Sequence, residues 1–479
     1  MSSQNNAEQE LAYALITPYS LHKSRTGGII ARLMWADVRM VAARMYAPEP
    51  GSDFIQKYCD AIYDPDEEHI SLRYQKMLIQ YILENFGRTN VRGISNRMMV
   101  IVFQGPNAKR EIVNATGHIS PDVRGDDVRG TFGDFIVDDP TEECLVKARE
   151  YSAEEMERYP ALKEVEVEPR ENCFFEPAVL TGVTPDMTRE HLQIFKEHAY
   201  SDGGYVLDAL DGLEPSTLET SMVILKPESF RRRNPLPGNL IDFFARTGMF
   251  ITGTKIVQLT VDQAREFYGA KLPQFRKQLK GMVAEKAREI VKRARVLANA
   301  TRTTFGVSKL DANTPAKAIP LAREAEYLFN CPDESGPGEI KQNVLDELYN
   351  TLSTRLESFE PGEEFYSEIA EDLKDLHARA EFNELIRYMS GANPQTGEPI
   401  EEGGETTCMA LLYSGDDALS VIRQRLRELR DVYGQNILEN RAHASDPEED
   451  PVAETEVLGM PNAPGGESRP CDLERVVGC

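Results

Sequence analysis

The feature that most restricts the fold of this chain is a degenerate internal repeat. Tyr13-Ala-Leu-Ile-Thr-Pro-Tyr-Ser20 precedes a gap and then Gly28-Ile-Ile-Ala-Arg-Leu-Met34; much later, Met222-Val-Ile-Leu-Lys-Pro-Glu-Ser229 precedes Gly238-Asn-Leu-Ile-Asp-Phe-Phe244. Both read as a buried strand, a proline-containing turn and an amphipathic helix. A second strand follows each, Val38-Arg-Met-Val-Ala-Ala43 and Phe250-Ile-Thr-Gly-Thr-Lys-Ile-Val-Gln-Leu259. A third pair ends at a glycine with a helix just after: Met98-Met-Val-Ile-Val-Phe-Gln-Gly-Pro-Asn-Ala108 and Cys408-Met-Ala-Leu-Leu-Tyr-Ser-Gly-Asp-Asp-Ala418. Two copies of one strand–helix–strand–helix–strand unit imply two similar domains of the α/β (α+β) class. The expected layout is a disordered start over 1–10, a first domain over 11–140, a helical linker over 141–217 and a second domain over 218–460. A helical insertion at about 272–374 interrupts the second copy, and a Pro/Gly/Ser-rich tail over 461–479 is expected to be disordered.

Charge limits the partners. The chain carries 54 Lys and Arg against 79 Asp and Glu, a net charge of −25. Nucleic acid and anionic membranes are polyanions that a basic surface must neutralise, so neither is an expected partner. No apolar run is long enough to span a bilayer, and Met1 to Glu10 lacks the apolar core of a signal peptide. The seven cysteines are scattered, without metal-ligand spacing, and read as reduced thiols in a cytoplasmic protein.

Of the seven histidines, His443 has the most suggestive setting, Asn440-Arg-Ala-His-Ala-Ser-Asp446, with an acidic stretch from Glu448 to Glu456 behind it. Near neutral pH an imidazole is mostly uncharged and nucleophilic. Nucleophilic catalysis also needs its other ring nitrogen held by an acceptor, normally a carboxylate.

The run filled by Asn440, His443, Ser445 and Asp446 resembles the nucleophile motif of nucleoside diphosphate kinases. Other segments resemble that family in its order. Leu225-Lys-Pro-Glu-Ser is similar to the segment whose lysine, here Lys226, grips the terminal phosphate. Val257 to Tyr268 is similar to the segment that delivers the active-site tyrosine, here Tyr268. Asp375 to Leu385, with Phe382, resembles the start of the helix that walls the nucleotide slot. Gly415-Asp-Asp-Ala418 with Arg423, and then Leu429-Arg430, match the positions of two phosphate-binding arginines. The resemblance implies two ferredoxin-like α/β sandwich domains with antiparallel sheets. It further implies Mg²⁺-dependent transfer of a terminal phosphate from a nucleoside triphosphate to a nucleoside diphosphate through phosphorylated His443. In the family the metal is held mainly by the nucleotide phosphates, so no protein ligand set is implied; assembly as a homo-oligomer is. The family's spacing makes Glu454 the carboxylate that orients His443, whereas the local pattern Ala453-Glu-Thr-Glu-Val-Leu458 favours Glu456. In a chain of net charge −25, Lys226, Arg423, Arg430 and the metal would have to reverse the field locally.

The sequence departs from the family in places. The threonine-containing loop between the two arginines is much shorter, which removes a contact of the family's usual hexamer. Glu381 stands where the base-stacking aromatic belongs, one residue before Phe382. In the first copy Thr17 replaces the lysine, Arg129 keeps the arginine segment, and counting onward puts Asp139 and Glu142 where asparagine and histidine belong. The first copy is therefore expected to be structural. The alternative reading of the whole chain is a catalytically impaired nucleotide-binding or scaffold protein on the same fold.

Overall fold

The computed structural model describes residues 9–66, 70–90, 93–119, 123, 125–136, 151–160, 162, 174–210, 217–231, 233–278, 288, 292, 363–400, 406–434, 440–445, 451–460 and 472–477. Packing divides the chain into two compact units, 1–259 together with 404–479, and 260–403.

The first unit is mixed α/β with antiparallel sheets. Its strands are β1 (Glu10–Ile16), β2 (Arg39–Tyr46), β3 (Met98–Gly105), β4 (Asp134–Ile136), β5 (Phe174–Glu176), β6 (Val179–Leu180), β7 (Gly203–Gly204), β8 (Glu219–Leu225), β9 (Phe250–Val257), β10 (Cys408–Gly415) and β11 (Ala442–Ala444). One sheet has the order β6-β1-β3-β2-β7, the other β11-β8-β10-β9, and β4 pairs with β5 alone. The repeat read from sequence is thus a repeat of topology, with β1, β2, β3 and β6 matching β8, β9, β10 and β11.

The match extends to single residues. β1 and β8 share one burial profile, an exposed and a half-buried residue followed by five buried ones. Ile16 lies opposite Met99 and Val179, while Leu225 lies opposite Met409 and Ala442. The ladders of β2 and β9 both skip one residue, Val41 in one and Thr252 in the other. In β1 successive side chains feed opposite faces: Ala14 and Ile16 join one core, Tyr13 and Leu15 another. That alternation is the period of a strand covered on both sides.

The first of these cores is common to both copies, holding Ile29, Ile30 and Leu33 beside Leu240, Ile241 and Phe244. The helices Thr26–Leu33 and Leu236–Ala245 cross with almost no separation. A Cβ on Gly27 would lie 2.5 Å from both the Gly238 oxygen and the Asp242 nitrogen; one on Gly238 would lie 2.2 Å from the Gly27 oxygen and the Ala31 nitrogen. Each glycine meets the other copy's helix backbone, the reciprocity of a two-fold contact. The facing residue of the first helix is Gly27, one position before the glycine that sequence comparison aligned.

Two stretches differ from the sequence reading. The 141–217 segment, read as a helical linker, supplies β6 and β7 to the edges of the first sheet as well as the helix Pro185–Glu197. Within the tail read as disordered, Asp472–Val477 is a helix whose Leu473 is fully buried. Its Asp472 carboxylate accepts the Ala43 and Ile256 amides, each at 3.0 Å, so one side chain ties β2 to β9. Residues 1–8 and most of 272–362 lie outside the described residues.

The second unit contains the helices Val261–Tyr268, Leu272–Gln278 and Glu363–Ser390. Thr260 and Gln263 close a reciprocal capping box at the first of these. Arg276 bridges to Glu371 at 2.9 Å and Asp375 at 2.8 Å, pinning the second to the third. Among the described residues no helix is long and apolar enough to cross a membrane.

Candidate functional site

β8 ends at Leu225, and the chain continues through Lys226 into a short turn of 3₁₀ helix, Pro227–Ser229. The Lys226 amide reaches across to the Arg441 carbonyl at 2.9 Å. Arg441 has φ +72°, a left-handed conformation unusual for a side chain of its size. Two bonds hold it there: its amide donates to Glu228 Oε1 at 2.8 Å, and its Nε donates to the Tyr433 carbonyl at 2.9 Å. From this bend the chain enters β11, where His443 pairs opposite Ile224 and is 4% exposed. Ser445 extends the pairing, its amide donating to the Met222 carbonyl at 3.0 Å while its hydroxyl accepts the Met222 amide at 3.2 Å.

His443 Nε2 lies 3.0 Å from Glu454 Oε1. Glu454 sits in the first turn of the helix Pro451–Val457 and is 6% exposed. Glu456 on the same helix points to solvent, so of the two carboxylates that the sequence left open, Glu454 makes the contact. Lys226 is buried, and burial pushes its pKa down to about 8; Glu228 acts against that shift and Arg430 adds to it. Arg430 donates from Nη2 to the Ala442 carbonyl at 3.1 Å, beside the histidine. Arg423 lies two turns earlier on the same helix, Ala418–Tyr433, hence on the same face. Asn440 precedes the bend, its carbonyl accepting the Ala442 amide at 2.9 Å.

The first unit therefore gathers Lys226, Arg430, Asn440, His443, Ser445 and Glu454 around one strand end. Tyr268 closes the helix Val261–Tyr268 and is buried, and Phe382 is half-buried on Glu363–Ser390; both belong to the second unit. Asp446 lies outside the described residues. Sequence reasoning missed Glu228, which fixes the bend, although it stands in the quoted Lys226-Pro-Glu-Ser run. Among the described residues no group of three or more His, Cys, Asp or Glu is placed to hold a metal ion.

The first copy repeats the backbone frame with different side chains. Thr17 donates its amide to the Ala178 carbonyl at 3.1 Å, as Lys226 does to Arg441. Ala178 has φ +61°, as Arg441 has +72°. Arg129 donates to the Val179 carbonyl at 3.1 Å, as Arg430 does to Ala442. The strand register then puts Leu180 at the position of His443. Counting along the chain had given Glu142, because the stretch from Arg129 to β6, which includes β4 and β5, is far longer than the stretch from Arg430 to β11; Asp139 and Glu142 lie outside the described residues. A fully buried Glu176 accepts Thr17 Oγ1 at 2.6 Å, Tyr81 Oη at 2.8 Å and the Ala178 amide at 3.1 Å. Behind it His191 bonds Tyr13 at 2.6 Å through Nδ1, and burial lowers its pKa to about 3. Arg129 also donates to the Gly117 carbonyl at 2.9 Å, and burial draws its pKa down to about 10. Its donors serve the backbone, and among the described residues Leu180 stands at the register position that His443 holds in the second copy.

No protein-family model matches the chain, and no curated protein matches it.

Proposed function

We propose that this chain is a nucleoside diphosphate kinase that passes the terminal phosphate of a nucleoside triphosphate to a nucleoside diphosphate by way of His443. The observation that carries the reading is the buried His443–Glu454 pair, at 3.0 Å, on a strand end flanked by Lys226 and Arg430. A carboxylate on Nε2 favours the proton there and puts the reactive lone pair on Nδ1. Nδ1 attacks the terminal phosphorus in line; an N–P bond forms, the bridging P–O bond breaks, and the nucleoside diphosphate leaves with the bond's electrons. In the second step a terminal phosphate oxygen of the acceptor diphosphate attacks, and the N–P bond breaks. Lys226 and Arg430 supply positive charge where negative charge gathers. With a pKa of about 8, Lys226 is mostly protonated at neutral pH. The cations here suit phosphate oxygens, and Mg²⁺ arrives as part of the nucleotide substrate.

The repeated strand order, second-third-first-last, supports reading both copies as ferredoxin-like α/β sandwiches. Pairing of the copies within one chain already covers the Gly27 and Gly238 helices, so a homo-oligomer would use other faces. A second reading, a nucleotide-binding or scaffold protein with impaired turnover, is favoured by Glu381. It stands at the base-stacking position and is 8% exposed, and a carboxylate offers no π face.

Incubation of the full chain with γ-labelled ATP and Mg²⁺ separates the two. The kinase reading expects acid-labile, alkali-stable label on His443, located on Nδ1, discharged by GDP and absent from His443→Ala. Binding of nucleotide without label would establish the second reading.

A further inference from the structure

Where the two copies of the first unit meet, a cavity of about 200 Å³ lies away from His443. Leu21, Ile241, Ala245, Met249 and Ile251 form its apolar side, Ser24 and Thr26 add hydroxyls, and His22 stands at the exposed mouth. Besides buried Thr26, two buried side chains that carry strong hydrogen-bond donors line it, Arg97 and Tyr413. Arg97 is 4% exposed and donates one hydrogen bond, from Nη1 to the Ile251 carbonyl at 2.6 Å; its guanidinium stacks 5.0 Å from the Phe250 ring centre. Among the described residues no carboxylate pairs with it. Tyr413 is fully buried, and its hydroxyl has no hydrogen-bond partner among the described residues. Each is costly to bury in that state: a guanidinium has five N–H donors and a fixed charge, and an unmet hydroxyl forfeits its hydration.

The duplicated scaffold supplies the control. Thr407 directly precedes β10 as Arg97 directly precedes β3, and Phe103 has the register position of Tyr413. The arginine–tyrosine pair is therefore not demanded by the fold, which forms the same strands with threonine and phenylalanine. It is particular to this cavity.

We propose that the cavity binds a small monocarboxylate, its oxyanion paired with Arg97 and accepting the Tyr413 hydroxyl, its short hydrocarbon tail against Leu21, Ile241 and Met249. One fixed charge inside calls for a monoanion. His22 adds no second cation near neutral pH, because burial, then Arg97 and Lys23, hold its pKa below the usual value. The Tyr413 hydroxyl stays a neutral donor, pushed up by burial and by Asp242, itself exposed. At about 200 Å³ the space is smaller than that of drug-sized sites, so the ligand has few heavy atoms.

The test titrates the full chain with sodium butyrate against sodium chloride at matched ionic strength, following the unfolding midpoint and the His22 pKa by NMR. Expected is a saturable rise in midpoint together with an upward move of the His22 pKa, as the bound anion offsets Arg97. Arg97→Gln, which retains a donor for the Ile251 carbonyl, should weaken the response roughly tenfold or more. Tyr413→Phe, which copies the other repeat, should weaken it less. No saturable response in the wild type, or an equal one in Arg97→Gln, overturns the proposal. Should Arg97→Gln fail to fold, Ala245→Leu decides: it fills the cavity from an apolar wall, and a surviving butyrate response would overturn the site.

Discussion

Two residues at the His443 centre lend themselves to opposite expectations. Glu454→Gln keeps an oxygen near Nε2 but removes the charge that favours a proton there, so phosphoryl transfer should fall by roughly 10²–10⁴-fold. Glu456→Gln, at an exposed position, should change little. Equal rate losses in the two variants would remove Glu454 from its role. Lys226 is a cost to the fold, since burial lowers its pKa from 10.5 to about 8. Below pH 8 the lysine is charged in both folded and unfolded chains, and the folded state bears the full penalty. Between pH 8 and 10.5 the folded chain has shed the proton that the unfolded chain retains, so the penalty fades as pH rises. Lys226→Met should therefore raise the unfolding midpoint at pH 7 while abolishing phosphoryl transfer, and its advantage should shrink towards pH 10.5. An unchanged or lower midpoint at pH 7 would contradict the burial argument. The polar cluster singled out His443 in the sequence but left its carboxylate open between Glu454 and Glu456, and it is Glu454 that lies 3.0 Å from Nε2. Glu228 was not readable, because its task is to hold one backbone amide at a bend that exists only after β8 and β11 have paired.

Among the elements, the paired helices are held by an absence of side chains. Gly27 and Gly238 allow backbone to touch backbone, and a methyl group on either would overlap main-chain atoms of the other helix. Main chain cannot step aside as a flexible side chain can, so Gly238→Ala should destabilise by about 2–4 kcal/mol in denaturant unfolding. Gly248→Ala has open space around its Cβ but a φ of +77° and should cost only about 1 kcal/mol. Similar costs for the two would mean that the two helix backbones do not touch at this crossing. The strands of both sheets were legible where a run of apolar residues reaches core on both faces, as in Met98 to Phe103 and Cys408 to Leu412. β6 was not: two residues, Val179 and Leu180, carry no periodicity, and the long stretch of chain between Arg129 and β6 defeats counting. Its place is fixed by Ile16 and by Arg129, which are distant in sequence.

Across the first unit the two copies share a core and meet along two strands, β2 and β9, that are not paired with each other. Such strands carry unpaired backbone groups that must be satisfied or exposed. Asp472 satisfies two of them with one carboxylate, at 3.0 Å to Ala43 and 3.0 Å to Ile256, and the adjacent Leu473 is fully buried. Bonds to a charged acceptor contribute about 1.5–3 kcal/mol each, and a buried leucine a similar amount. Against a total stability of about 5–15 kcal/mol for a typical domain, that is a large share at the extreme end of the chain. Removal of 471–479 should lower the stability of the first unit by roughly 4–9 kcal/mol, the sum of those three contributions, and promote association through the uncovered strands. Asp472→Ala should reproduce a large part of the loss with Leu473 in place, which separates the carboxylate from the packing. Because the core is common to both copies, a 218–479 fragment should not fold cooperatively by itself. A fragment that unfolded with the midpoint of the full chain would show that the second copy needs no partner. Truncation without effect on the midpoint would show that Asp472 merely occupies a strand edge already satisfied by water.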